Sequence, residues 1–208
     1  MNIELKNIKH TPSLSHETEA FTASIYVNGI HAGYAENAGH GGETSFKYKD
    51  EKGKVLLKQA EEFAISKSSR KIDDPLRYYA FESMLNDLLE EHLKKKDIEN
   101  LNKKIEKTSE NAVVVGGVSD YSFSYFKLRN PVSAYLVTPE RVAHLKNFIK
   151  GTVIPQLENG EKILNKNIPE KLLLESGLKK GQYAQPKANI TWIENLSSNN
   201  EQQAKRGR

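Results

Sequence analysis

A short glycine-rich stretch, Gly39-His40-Gly41-Gly42-Glu43, has the residue types best suited to contact a ligand. Glycines allow backbone N–H groups to approach an anion, and a histidine near a carboxylate can form an acid and base pair. The stretch lacks the Gly-Lys-Ser/Thr ending of a phosphate loop, and no helix is predicted directly after it. Two interpretations stay open. One is a hairpin connection in which glycine relieves backbone strain; the other is a ligand contact through His40, Gly41, Gly42 and Glu43.

A second candidate is a set of alternating aromatic residues in the C-terminal half. Tyr121, Phe123, Tyr125 and Lys127 fall on one face of a predicted strand. Sheet-based RNA-binding proteins present aromatic and basic residues in this way to stack on bases. The alternative is that these rings belong to the core, since aromatic side chains at strand spacing are commonly buried. The stacking interpretation requires that this face is open to solvent.

Positive charge is concentrated in the C-terminal half. The net charge of the chain is +4, and about +6 of formal charge falls after residue 110. The chain ends in Lys205, Arg206 and Arg208, within a segment, 197–208, that lacks apolar periodicity and is predicted to be disordered. This distribution is compatible with a polyanionic partner, and we include the three terminal cations among the candidate nucleic-acid contacts.

Several kinds of chemistry are excluded by residue type or spacing. The sequence contains no cysteine, which excludes disulfides, thiolate zinc sites and a thiol nucleophile. No two histidines have the one-turn spacing of a zinc-binding helix, and no serine lies in Gly-x-Ser-x-Gly. We therefore expect no metal and no cofactor. The lack of a catalytic motif favours a protein that is not an enzyme.

The glycine-rich stretch lies in a predicted N-terminal β-meander. Residues 21–27 alternate between apolar and polar types, and Asn28-Gly29 is typical of a tight hairpin turn. A return strand is predicted over 30–36, a third strand over 44–48, and an amphipathic helix over 54–66. Residues 1–70 are therefore predicted to form a βββα unit.

Asp73-Asp74-Pro75 is a typical helix start, with a carboxylate cap before proline. The helix is predicted to run to about residue 107, in one piece or with a break near Lys96, and to bury Leu85 and Leu88. Further strands are predicted over 112–115, 121–128, 134–137 and 188–193, with helices from 138 and over 170–176. The fold class is α+β: an N-terminal antiparallel meander plus helix, a long central helix, and mixed C-terminal strands and helices. Residues 71–196 form either a second domain or one domain with the first unit.

No segment has the character of a membrane span. The N-terminus lacks the basic start and apolar run of a signal peptide, and no later stretch approaches the roughly 20 apolar residues needed to cross a bilayer. We expect a cytoplasmic protein with no membrane partner.

The segment Phe21-Thr-Ala-Ser-Ile-Tyr-Val-Asn-Gly29, with Ala32-Gly-Tyr-Ala-Glu-Asn-Ala-Gly-His-Gly-Gly42, resembles the N-terminal part of small uncharacterised proteins of bacterial phages and other mobile elements. The resemblance implies no activity. The order of strand, Asn-Gly turn, strand and helix is also faintly similar to a double-stranded RNA-binding domain. The Lys-Lys-x-Ala-Lys segment and first helix of that family are absent, so no site residue is carried over.

These observations favour a non-enzymatic binding protein of a phage or mobile element that acts on a host or viral macromolecule. Its partner would be a protein, a nucleic acid or a nucleoprotein machine. Two alternatives stay open. One is a small enzyme or ligand-binding protein for a phosphorylated or nucleotide ligand at the His40 loop; the other is a structural virion-associated protein.

Overall fold

The computed structural model describes residues 1–69, 71, 74–117, 122–188 and 190. It confirms the α+β fold, with an N-terminal antiparallel sheet and helix, a long central helix, and strands and helices after it. The chain divides into two compact units, Met1–Lys96 and Asp97–Arg208. Each unit has its own cluster of buried apolar side chains.

The first unit is built on a four-stranded antiparallel sheet in the order β1-β2-β3-β4. Its strands are β1 (Ile3–His10), β2 (Phe21–Val27), β3 (Ile30–Asn37) and β4 (Ser45–Tyr48). The predicted hairpin at Asn28-Gly29 is confirmed, and both residues have the positive φ angles typical of such a turn, 49° and 80°. β1 is an addition to the predicted meander and pairs with β2 at the sheet edge.

The edge strand β1 is interrupted by a bulge. Its pairing with β2 shifts register between Lys6 and Lys9, and Asn7 within this stretch has a φ of 54°. Asparagine adopts this left-handed conformation more readily than most residues with a side chain. The Asn7 amide donates to the hydroxyl of Ser24 on β2, at 3.4 Å. The bulge is therefore tied to the neighbouring strand.

One face of this sheet is covered by two helices, α1 (Glu51–Lys67) and the first turns of α2 (Ala80–Ser109). α1 begins earlier than predicted because the Asp50 carboxylate accepts a hydrogen bond from the Gly53 N–H at 2.7 Å and caps the helix. A Cβ atom at Gly53 would lie 2.1 Å from the carbonyl oxygen of Ala32. The close approach of α1 to the sheet therefore requires glycine at this position.

A 3₁₀ turn over Pro75–Tyr79 leads into α2. The Asp74 side chain accepts a hydrogen bond from the Leu76 N–H at 2.9 Å, which confirms the predicted cap before proline. Asp73 lies outside the described residues. α2 then runs without a break to Ser109, as in the one-helix alternative.

The core of the first unit lies between the sheet and these helices. Leu85 is fully buried there, as predicted. Leu88 is half-buried and packs against this core, and Leu89 is buried in it. The fully buried stripe of α2 is therefore Phe81, Leu85 and Leu89, at intervals of four residues, with Leu88 at its side.

The second unit has a three-stranded antiparallel sheet in the order β6-β5-β7. Its strands are β5 (Ala112–Gly116), β6 (Ser124–Lys127) and β7 (Lys162–Ile163), and its helices are α3 (Val132–Tyr135), α4 (Pro139–Phe148) and α5 (Glu170–Glu175). β5, α4 and α5 confirm predicted elements, whereas β7 was not predicted. α4 continues into a π turn over Ile149–Val153 and a 3₁₀ turn over Ile154–Gln156. In the described part of the chain, no helix is long and apolar enough to cross a membrane.

The predicted strand over residues 134–137 is wrong, because α3 covers residues 134 and 135 and the next two residues are in no strand. Val132, Tyr135 and Leu136 are buried, and their spacing of three and four residues is that of a helix. The last predicted strand, 188–193, and the tail, 197–208, lie outside the described residues except for Ala188 and Ile190. Neither of these two residues is in a strand.

A buried asparagine links β5 to the segment after β7. The Asn165 side chain accepts a hydrogen bond from the Val114 N–H at 2.7 Å and donates one to the Ala112 carbonyl at 2.9 Å. It also donates to the side-chain oxygen of Asn167 at 3.0 Å. Asn165 is 0% exposed, so its amide satisfies backbone groups that water cannot reach.

Candidate functional site

The glycine-rich loop is packed closely against the segment that precedes β2. Gly39 has a φ of 87°, and a Cβ atom there would lie 2.1 Å from the carbonyl oxygen of Leu14. The Gly39 carbonyl accepts hydrogen bonds from the N–H groups of His16 and Glu17, at 3.0 and 3.1 Å. Gly41 also has a positive φ, 80°. These two glycines have structural reasons for their identity that involve no ligand.

His40 and Glu43 contact different neighbours. His40 is exposed, and its ring stacks on that of His16 with 5.6 Å between centroids. The charge of Glu43 and its hydrogen bond with Tyr79 raise the pKa of that tyrosine. Within the described residues, His40 and Glu43 form no hydrogen bond with each other. The acid and base pair is therefore not assembled in this structure.

A cavity of about 410 Å³ lies beside the loop in the first unit. Gly42 lines it, but His40 is not one of its lining residues. Three carboxylates line it, those of Glu19, Glu82 and Glu90, with no lysine or arginine among the lining residues. Carboxylates repel a phosphate group, so the lining of this cavity is unsuited to a phosphorylated ligand.

The predicted aromatic strand of the second unit is partly present. Tyr125 is 58% exposed, and Lys127, two residues further along β6, is also exposed. Phe126 points the other way and packs against the core. Phe123 precedes β6 and is partly buried, and Tyr121 lies outside the described residues. The structure therefore leaves Tyr125 and Lys127 open to solvent on this edge strand.

A larger group of rings lies on the sheet of the first unit, on the face opposite α1. Tyr26 on β2 stands opposite His31 on β3, and their rings stack with 5.0 Å between centroids. The His31 ring meets Tyr34 edge-on at 4.9 Å. We call Tyr26, His31 and Tyr34 the aromatic face. Tyr34 is 49% exposed, so its ring is accessible to a planar partner.

Strand alternation explains why these rings point outward. Ile25 and Ala35 face the core, so their neighbours Tyr26 and Tyr34 face the opposite side. A bulge in β3 between the pairs Ile25–Gly33 and Tyr26–His31 leaves the extra residue, Ala32, in the core. The three rings are therefore brought together by the register of one hairpin.

Lysines surround the aromatic face. The Lys6 ammonium lies 4.7 Å from the centroid of the Tyr26 ring, and Lys47 on β4 stands opposite Tyr34. Each lysine also pairs with a carboxylate, Lys6 with Glu4 at 3.4 Å and Lys47 with Glu36 at 2.9 Å. The hydrogen bond and charge of Lys47 lower the pKa of Glu36. Both ion pairs are exposed and weak, so another anion can replace the carboxylate at each lysine.

Sequence reasoning missed the aromatic face, although a signal for it is present. Tyr26 lies between Ile25 and Val27, and Tyr34 lies between Gly33 and Ala35. Strand alternation places both rings on the polar side, where an aromatic residue needs an explanation. What the pattern does not show is that His31 joins them, because this depends on the bulge.

The structure gives no site for the other residues and ligands considered from the sequence. Lys205, Arg206 and Arg208 lie outside the described residues. Among the residues that the structure describes, no group of three or more histidines and carboxylates is placed to hold a metal ion.

Comparison with known proteins finds no family model, no curated protein and no solved structure that matches this chain.

Proposed function

We propose that this protein is a non-enzymatic nucleic-acid-binding protein whose aromatic face contacts unpaired bases. The observation that carries the proposal is the contiguous set of Tyr26, His31 and Tyr34 on the sheet face opposite the helices, with Lys6 and Lys47 beside it. Bases stack on exposed rings with little regard to sequence, and lysines neutralise the phosphates between them. Bases in a duplex are already stacked, so a single strand fits this surface better.

The charge of this surface sets the expected salt dependence. This surface has three exposed lysines on its strands, Lys6, Lys9 and Lys47. Two carboxylates, Glu4 and Glu36, form ion pairs with Lys6 and Lys47. Contact with three phosphates corresponds to a slope of log K against log salt of roughly −2 for single strands. Binding should therefore be modest in affinity and clearly weakened by salt.

The test is fluorescence anisotropy with labelled single-stranded DNA and RNA at about 50 mM salt, where the electrostatic contribution is strong. Tyr34→Ala should raise the Kd about 5- to 150-fold with little change in salt slope, since stacking contributes roughly 1 to 3 kcal/mol per base. Lys47→Gln should instead reduce the slope.

Tyr48→Ala is the matched control. Tyr48 is 53% exposed on the same sheet, but it stands opposite Gly33, whose side faces Leu57 of α1. Its removal should leave the Kd unchanged. Equal losses from Tyr34→Ala and Tyr48→Ala would contradict the proposal, and no binding to single- or double-stranded DNA or RNA would indicate a protein partner instead.

Tyr125→Ala in the same assay tests the edge strand of the second unit. A loss of affinity would extend the binding surface to Tyr125 and Lys127. The association with phages or other mobile elements, and the cytoplasm as the place of action, are parts of this proposal that rest on the sequence alone.

A further inference from the structure

A second concave region lies wholly within the second unit. Its volume is about 560 Å³, which is typical of sites for small molecules. It lies between the last turns of α2 and the segment from β7 to residue 187. It shares no residue with the aromatic face, so its ligand is a separate question from the proposed function.

Three lysines line this cavity, in contrast to the acidic cavity of the first unit. Lys187 pairs with Glu106 at 3.0 Å, and the hydrogen bond and charge of Lys187 lower the pKa of Glu106, with a smaller contribution from the charge of Lys166. Lys162 has no ion-pair partner among the described residues. With Glu106 and Glu110 as the carboxylates of the lining, the cavity keeps one cation in excess.

Ser109 belongs to the buried wall of this cavity. It lines the cavity and is 4% exposed, and its hydroxyl has no hydrogen-bond partner among the described residues. The hydroxyl oxygen is closed to solvent, so a molecule in the cavity does not contact it in this side-chain conformation.

The wall of the cavity is held by internal hydrogen bonds. The Asn167 amide donates to the carbonyl of Ser109 at 2.7 Å, and the Asn165 amide donates to the side-chain oxygen of Asn167. Ile105 and Leu164 add half-buried apolar surface to the lining. A cavity with fixed polar groups, apolar surface and excess positive charge suits a small organic anion.

We propose that this cavity binds a small phosphorylated organic molecule, with the phosphate on Lys162 and Lys166 and the organic part against Ile105 and Leu164. A free nucleotide and the phosphorylated end of a nucleic-acid strand share this chemistry, and the small molecule is the source that a concave site of this volume favours.

The test is an NMR titration of the full ¹⁵N-labelled chain with AMP up to about 10 mM. This concentration half-saturates a site whose Kd is about 10 mM. Adenosine and sodium chloride at matched ionic strength are the ligand controls. AMP should shift amides of residues 105–110 and 162–167, and adenosine should not. The double variant Lys162→Gln and Lys166→Gln should raise the Kd at least about tenfold, the effect of losing 1.4 kcal/mol.

The matched control is the double variant Lys150→Gln and Lys179→Gln, which removes the same charge from exposed positions outside the cavity lining. It should bind AMP as the unmodified chain does.

Three results would overturn the proposal: no amide shifts with AMP or inorganic phosphate, equal shifts with adenosine, or equal losses in the two double variants. Binding of a 5′-phosphorylated oligonucleotide without binding of AMP would replace the small molecule by a strand end. Tyr34→Ala should leave the AMP titration unchanged, so failure here and failure of the aromatic face are distinguishable.

Discussion

Gly39 and Gly42 belong to the same loop but meet different surroundings. Gly39 has a φ of 87° and would place a Cβ atom 2.1 Å from the backbone of Leu14, whereas Gly42 has nothing within 4 Å of such an atom. Gly39→Ala should therefore lower the free energy of unfolding by about 2 kcal/mol or more, from left-handed strain and the clash together.

Gly42→Ala is the control, and its effect should stay within about 0.5 kcal/mol, as for most surface substitutions. Chemical denaturation of both variants measures the difference. A neutral Gly39→Ala would mean that the loop relaxes away from Leu14 at no cost, and the structural interpretation of this glycine would then fail.

Individual residue types were informative about turns and less so about the site. Asn28-Gly29 and Asp74 were predictable because a positive φ and a helix cap each select few residue types. The candidate pair of His40 and Glu43 was not predictable in the same way. Among the described residues, Glu43 contacts Tyr79 and forms no hydrogen bond with His40. Tyr79 lies beyond α1 in the sequence and approaches Glu43 only in the folded chain.

Asn165 fastens one element to another, and its removal would leave the Val114 N–H and the Ala112 carbonyl without these partners. Each buried backbone group left unsatisfied costs about 1 to 3 kcal/mol. Asn165→Ala should therefore destabilise the protein by about 3 kcal/mol or more. Thermal unfolding against the exposed control Asn130→Ala, which should melt as the unmodified chain does, measures this. Similar melting of both variants would be the contrary result.

Elements with strong local signals were predictable, and those that depend on distant partners were not. β2, β3, α1 and α4 combine clear periodicity with caps or turns. β7 has only two residues, and its pairing with β5 joins parts of the chain far apart in sequence. α3 was mistaken for a strand because four residues are too few for periodicity to separate the two. Leu88 and Leu89 both pack in the core of the first unit, and the sequence pattern does not show that Leu89 is the more deeply buried of the two.

The two apolar clusters draw on separate stretches of the chain, 3–93 and 113–190. We predict that they lose stability separately. Leu85→Ala opens a cavity in the first cluster and Leu145→Ala in the second, each at about 2 to 5 kcal/mol. Native-state hydrogen exchange should quicken in β2 and β3 for Leu85→Ala, and in β5 for Leu145→Ala.

Equal acceleration of both sheets by either variant would contradict this prediction, because it would show that the clusters unfold as one cooperative unit. The exchange experiment also reports directly on the candidate sites. The aromatic face should follow the first pattern, and the lysine-lined cavity should follow the second.

The bulge at Asn7 affects how copies of this protein behave in a crowded solution. β1 is an edge strand, and a regular edge offers unpaired N–H and C=O groups on which another chain can add a strand. The left-handed turn at Asn7 breaks that regular array part-way along, and the charged Lys6 and Lys9 flank the break. The irregularity in β1 thus opposes the edge-to-edge association that leads to aggregation.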